Sequence, residues 1–474
     1  MIPTTGPTRR ELLESAACGF GALALAGLAG GAASASAAAA LGVARAKRVI
    51  FLFMAGGVSQ VDSFDHKPLL DREDGNSRDF ADSRSIARTG KGKAARIMKP
   101  LWTFRPRGAS GKWTSDLFPE IGGHVDDLCF LHGMHTEGVA HGPATLFLHT
   151  GTTTQIRPSM GSWVSYGLGR ENENLPAFVT LAPSPGNGGP RNYGSSFLPA
   201  VHQGTAIGRP GMPAREARIR FIDNARRDPA GQRAQFDLVQ SLNREQIASR
   251  VAGGLAADTE LDAVVESYEL AWRMQQVAPT IMDVGDETEE TLSLYGIGQP
   301  HTDDYGRRCL VARRLAEAGV RYIQVNYTDN SNNPAWDQHA NMPKHGEHAR
   351  AVDRPIAGLL TDLKRRGLLE DTLVWWGGEF GRNPFAEGNG TGRDHDPEGF
   401  TVWLAGGGVK RGFSLGATDE FGHRAVERKT HMHDLHATVL HLLGLDHERL
   451  TYRHAGRDFR LTDVAGEVVH EVIA

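Results

Sequence analysis

Apolar positions along the chain fall into two kinds of pattern. "VIFLFM" at 49–54 is an unbroken apolar run closed by Gly56-Gly57. A run without polar alternation predicts a strand buried on both faces and ended by a tight turn. "DDLCFLHGM" predicts a short second strand, and "AHGPATLFLHTG" at 140–151 predicts a loop and then a helix with Pro143 in its first turn. The last third alternates clearly. "DDYGRRCLVARRLAEAG" reads as a helix stopped by Gly319, "VRYIQVNY" as a strand, and "HARAVDRPIAGLLTDLKRRG" as a helix ending at Gly367. "DTLVWWGGEFGR" and "GFTVWLAGGG" then read as strands, and "HDLHATVLHLLGL" as a helix.

Between these blocks the pattern weakens. Residues 71–115 are polar, basic and Gly-rich, which predicts a long surface excursion; 183–213 are dense in Gly and Pro and predict loops. Residues 215–280 read as helical, with Asp258 as an N-cap and Leu261, Val265, Tyr268 and Trp272 on one packing face. Strand–helix alternation predicts an α/β fold with a mostly parallel central sheet and helices on both faces, carrying a helical insertion. One domain is expected over 47–474, with the excursion at 71–115 and a loop and helical insertion at 183–290. In such sheets ligands gather outside the carboxyl ends of the strands.

The first forty residues read differently. "TRRELLESAACGFGALALAGLAG" places Arg9 and Arg10 before an Ala/Gly/Leu-rich stretch, and "AASASAAAA" follows with small-residue cleavage sites. This resembles a twin-arginine export signal, so residues 1–40 are expected to be removed and the mature protein to be periplasmic or secreted, with no later membrane span. Beyond the leader only Cys129 and Cys309 remain, too few for a disulfide scaffold. Composition changes little else. Apolar content is 40%, charged content 23% and net charge -4, with no basic stripe that would suit nucleic acid. Oligomeric state stays open.

Histidine is the exception. Of 20 histidines, His132, His135, His141 and His149 form one group and His339, His345 and His348 a second. His395 stands between Asp394 and Asp396, and His431, His433 and His436 precede or begin the last helix, which also carries His441. Several sit just after expected strands, as do Asp337 and Glu379. Mixed imidazole and carboxylate donors suit one divalent zinc, manganese or iron better than magnesium. Each residue also has a plainer reading. Asp337 and His339 fit loop hydrogen bonding, Glu379 fits a helix cap or a pair with Arg382, and Asp394–Asp396 fits a solvated turn. His436 and His441 read as packing or surface. His395 between two acids also fits a ligand imidazole oriented by its neighbours.

The segment order resembles the alkaline phosphatase/sulfatase superfamily, and more closely a family of exported bacterial sulfatase-like proteins defined only as a domain of unknown function. "TRRELL", "KRVIFLFMAGG", "PSMGSWVSYGLG", "WDQH", "DTLVWWGGEFGR" and "GRDH" carry the closer resemblance over nearly the whole chain. Sulfatases open a nucleophile helix with Cys or Ser, then x-Pro-Ser-x-Arg and Leu-x-Thr-Gly. Here Pro143, Leu148, Thr150 and Gly151 match, and His141 stands where the nucleophile would be. Formylglycine chemistry is therefore excluded at that position. The metal-binding Asp usual at the first strand's end is replaced by Gly56-Gly57, and the usual Asp-His pair by Glu379-Phe380.

The resemblance implies a hydrolase of sulfate or phosphate esters, its substrate an anionic small molecule or polysaccharide. One divalent metal would sit on Asp337, His339, Glu379 and His395, with His141 catalytic and Arg382 and Arg393 holding the anion. The alternative is a non-catalytic descendant that binds an anionic ligand, such as a sulfated polysaccharide, or a partner protein.

Overall fold

The computed structural model describes residues 42–80, 93–217, 228–252, 259–327, 334–387 and 390–474. The export signal at 1–40 and the N-cap expected at Asp258 lie outside the described residues.

β1 (Arg48–Met54) is buried along its whole length and occupies the middle of a nine-stranded sheet. It pairs in parallel with β9 (Tyr322–Tyr327) on one side and β10 (Thr372–Gly377) on the other. Beyond β9 lie β7 (Phe178–Leu181) and then β8 (Thr205–Ile207), both parallel. Beyond β10 the sheet turns mixed. β13 (Phe400–Ala405) runs antiparallel between β10 and β6 (Leu128–His135), and β14 (Phe413–Leu415) pairs in parallel with β6. The sheet is thus mostly parallel, as the alternation of elements predicts.

Successive side chains of a strand point to opposite faces. Ile50, Leu52 and Met54 accordingly pack with Tyr305, Leu310, Val352 and Ile356, from the helices Asp303–Glu317 and Lys344–Arg365. Val49, Phe51 and Phe53 pack on the other face with Phe147, Trp163, Leu435 and Val439. These come from the helices His141–Thr150, Met160–Leu168 and Met432–Leu442. In chain order we label the helices α1 (Gln60–Ser63), α2 (His141–Thr150), α3 (Met160–Leu168), α4 (Pro229–Ala252), α5 (Thr259–Met282), α6 (Asp303–Glu317), α7 (Lys344–Arg365) and α8 (Met432–Leu442).

Two regions depart from the sequence reading. Residues 71–115 hold two hairpins, β2 (Ser77–Phe80) with β3 (Lys93–Arg96) and β4 (Phe104–Arg107) with β5 (Lys112–Ser115). Only isolated residues such as Phe80 and Ile97 are buried, so no period marks these strands. Among the described side chains of α5 the buried ones are Leu270, Met274 and Ala278, at four-residue spacing, while Tyr268 is exposed. Of the expected face, Trp272 packs, stacked on Phe236 of α4 at 6.1 Å, Tyr268 does not, and the Leu261 side chain lies outside the described ones. Cys129 and Cys309 are both free and buried, on β6 and α6.

Candidate metal centre

The carboxyl ends of β1, β9 and β10 deliver three loops to one place. After β1 the chain turns through Gly56, at φ +115, where an added Cβ would lie 2.6 Å from the backbone nitrogen of Asp337. Only glycine allows the loop after β9 to approach this closely. Trp336 donates its backbone N–H to the Ala55 carbonyl at 3.1 Å and so anchors that loop on the end of β1. A short antiparallel pair, β11 (Gly381–Arg382) with β12 (His395–Asp396), follows β10 and brings His395 alongside.

Three donor atoms form a small triangle. Asp337 Oδ1 lies 3.0 Å from His339 Nε2 and 3.2 Å from His395 Nε2, and the two imidazole nitrogens are 3.0 Å apart. His141 Nε2 stands 3.1 Å from the same carboxylate oxygen. Four-coordinate ligands about 2.0–2.1 Å from a transition metal sit roughly 3.3 Å from one another, and octahedral neighbours roughly 3.0 Å. The triangle has ligand spacing. His141, Asp337 and His395 are likewise close enough to share a cation.

The outer ring nitrogens say which way the lone pairs point. His395 donates from Nδ1 to the Val139 carbonyl at 2.8 Å, His339 from Nδ1 to Glu387 Oε2 at 2.5 Å, and His141 from Nδ1 to Glu379 Oε1 at 2.6 Å. An acceptor on Nδ1 fixes that proton, so each neutral imidazole turns its Nε2 lone pair toward the others and toward Asp337. Converging lone pairs call for a cation or for protons. Without an ion the protons supply it. Burial alone would lower the His141 pKa, but Asp337 and Glu379 outweigh it and raise it. Asp337 and Glu387 push His339 up to about 9. Burial dominates at His395 and lowers it against the pull of Asp337. Burial would raise Asp337, but the three histidines and Arg382 hold it well below the carboxylate range.

Glu379 is not one of the converging donors. It is wholly buried, both its oxygens accept the Gly56 N–H at 3.0 and 3.1 Å, and Oε1 also takes His141. Its place is behind His141, and its expected pair with Arg382 is not made. Burial would raise its pKa, yet His141 and the Gly56 amide bring it below the usual value.

The two arginines expected to hold an anion are also placed otherwise. Arg382 is fully buried. It donates from Nε to Gly57 O at 3.0 Å, from Nη1 to Arg393 O at 3.0 Å, from Nη2 to Asp337 Oδ1 at 2.7 Å, and to the Gly56 carbonyl. Arg393, equally buried, donates to Asp62 Oδ2 at 2.8 Å and to the carbonyls of Asn383, Met98 and Lys99. Their donors are committed to backbone and carboxylates. They are clamps, not anion receptors.

Other candidates fall outside the centre. Buried His345 accepts the Ser59 N–H at 3.3 Å, and His348 meets the Tyr327 hydroxyl at 3.0 Å, both on α7. Asp396 faces His423 at 3.0 Å rather than orienting His395. Asp394, by contrast, borders the centre: it accepts the His395 backbone N–H at 2.8 Å, its Oδ1 lies 3.7 Å from His339 Nδ1, and with His339 and His395 it is close enough to share a cation. His436 packs against the Leu148 carbonyl and His441 is exposed, as their sequence context suggests. Three contributors were not foreseen: Glu387, the Val139 carbonyl, and Phe380, whose ring lies 5.0 Å from His141 and 4.5 Å from His395 and walls the site.

α2 begins at the centre. Its N-cap Ala140 offers no side-chain cap, and Gly151 closes it at φ +68. The ring of His141, the first helical residue, turns to the centre and to Glu379.

Residues 46–473 match the family described as a protein of unknown function, DUF1501. No curated protein matches the chain. Among solved structures, the lipoteichoic acid synthase LtaP from Listeria monocytogenes is similar at 9% identity and a TM-score of 0.40, covering 89% of this chain and 76% of that one. PsFucS1 sulfatase from Pseudoalteromonas sp. gives 13% identity and 0.34, covering 84% and 68%. Alkaline phosphatase from the Antarctic bacterium TAB5 gives 10% identity and 0.32, covering 78% and 94%.

Proposed function

The chain belongs to the DUF1501 family, and we propose that this member is a metal-dependent hydrolase of sulfate or phosphate esters. One divalent zinc, manganese or iron would be held by Asp337, His339 and His395, with His141 as the catalytic acid/base. The observation that carries this reading is the triangle of Asp337 Oδ1, His339 Nε2 and His395 Nε2, with sides of 3.0–3.2 Å and each imidazole fixed from behind. Two imidazoles and a carboxylate on one side of an ion leave positions for water and substrate. A divalent ion held by these residues would supply Lewis acidity and acidify a water there.

The chain's own residues do the rest. Glu379 holds the His141 ring by its Nδ1 proton and stabilises the imidazolium, so Nε2 is kept able to take and return a proton. Arg382 fixes Asp337, and the Phe380 ring excludes water from one side. With both arginines committed, an ester's negative charge would be met by the ion and by the first-turn amides of α2, which no side chain caps.

The test is hydrolysis of 4-nitrophenyl sulfate and 4-nitrophenyl phosphate by the exported protein. It is run after chelation and after addition of zinc, manganese or iron. Activity that chelation removes, that one metal restores and that His141→Ala abolishes is the expected result. One feature favours a second reading, a non-catalytic binder of an anionic ligand or partner. His141 replaces the Cys or Ser of the sulfatase pattern. Metal bound with no turnover of either ester would support it.

Export by the twin-arginine route belongs to the same proposal. Arg9→Lys/Arg10→Lys should leave the precursor in the cytoplasm. No helix among the described residues is long and apolar enough to cross a membrane.

A further inference from the structure

A hollow of about 610 Å³ opens between the chain that follows α1 and the β4–β5 hairpin; Asp65, His66, Lys112, Trp113, His132 and Ser414 are among its lining. Trp113 is 45% exposed. An exposed tryptophan is unusual, because its ring carries a large apolar surface. This one is held in place. Its ring lies on the His66 imidazole, with centroids 4.2 Å apart and planes at 20°, and His66 also stacks with Phe104 at 5.0 Å and 25°. Phe104 and Trp113 stand on the two paired strands of one hairpin. The result is a fixed flat ring beside an open concavity.

The rest of the lining is polar and also fixed. His132 is parallel to Phe130 at 5.6 Å, and its Nδ1 meets the Thr401 hydroxyl at 3.2 Å. Asp65 pairs with Lys67 at 3.1 Å and accepts from the Thr418 hydroxyl. A flat apolar platform with hydroxyl, imidazole and carboxylate groups around it matches an amphipathic ligand with one C–H face and many hydroxyls.

We propose that this hollow is a saccharide-binding subsite, in which Trp113 takes the C–H face of a pyranose ring while His132 and Ser414 hydrogen-bond its hydroxyls. Nothing in it depends on the metal centre. Its lining and the centre's donors share no residue.

The test titrates chitohexaose, cellohexaose and a chondroitin sulfate hexasaccharide into the exported protein, by calorimetry and by saturation-transfer NMR. Binding of at least one is expected. Trp113→Ala should weaken it by about tenfold or more, and Trp113→Phe by no more than about threefold, since a flat ring remains. His339→Ala/His395→Ala should bind the saccharide unchanged, so failure of the hydrolase reading would not touch this one. If Trp113→Ala does not fold, Ser414→Arg fills the hollow from the other side, and it should abolish binding. No binding of any of the three, or binding that survives Trp113→Ala or Ser414→Arg, overturns the proposal.

Discussion

His141 donates from Nδ1 to Glu379 Oε1 across 2.6 Å, and that carboxylate, wholly buried, also accepts the Gly56 N–H on both oxygens. Glu379 therefore orients His141 from behind the converging donors. Glu379→Gln keeps the shape but removes the charge behind the imidazole. Ester hydrolysis should fall between about a hundredfold and ten-thousandfold while bound metal stays at the wild-type level. Loss of metal from a folded Glu379→Gln protein would make Glu379 a ligand after all.

Arg382 is the counterpart on the other side of Asp337. Lysine cannot reproduce a fork that reaches the carbonyls of Gly56, Gly57 and Arg393 together with Asp337. Arg382→Lys should cost about 3–5 kcal/mol in chemical denaturation, the usual result of breaking a buried pair. Unchanged stability with a raised KM for anionic esters would restore the anion-binding role.

Gly56→Ala tests the close approach of the β1 and β9 loops. Its φ of +115 and the 2.6 Å contact with the Asp337 nitrogen both penalise a Cβ. The backbone cost alone is about 1–3 kcal/mol. Because Asp337 must shift, metal affinity should drop together with the melting temperature. A variant that loses stability yet binds metal as tightly as before would contradict this link.

The framework was legible because it rests on burial. β1, β10 and β13 are buried along their whole length, so apolar residues dominate them, and the glycines after α6 and α7 stop those helices at positive φ. The converging residues Asp337, His339 and His395 were legible from their place after strands. Their partners were not. Arg382 and Arg393 look like anion receptors in sequence, since nothing local reveals that their N–H groups end on carbonyls from Gly56, Gly57, Met98 and Lys99. Glu387 lies in a Gly- and Asn-rich stretch without periodicity, and Val139 contributes a backbone atom. A contact made by backbone leaves no trace in residue type. The 71–115 hairpins were missed because their strands bury too little to show alternation.

Asp353, on α7, offers a pH test at a group outside the centre. It accepts the backbone N–H groups of Glu120 and Ile121 at 2.8 Å each, and burial nevertheless pushes its pKa up to about 7, from 3.8. In that window the folded state binds the proton more tightly than the unfolded chain does. Stability from this group is therefore lost as pH rises from 4 to 7. The difference in melting temperature between wild type and Asp353→Asn should shift against the wild type over that range. A difference that stays constant from pH 4 to 7 would place the Asp353 pKa in the ordinary range.

The central claim is that the triangle of Asp337, His339 and His395 holds an ion. Elemental analysis of the purified protein beside His339→Ala/His395→Ala tests it most directly. One zinc, manganese or iron per chain in the wild type, and none in the folded double variant, is the result predicted. A wild-type protein that carries no transition metal and takes up none on dialysis against zinc, manganese or iron would contradict it.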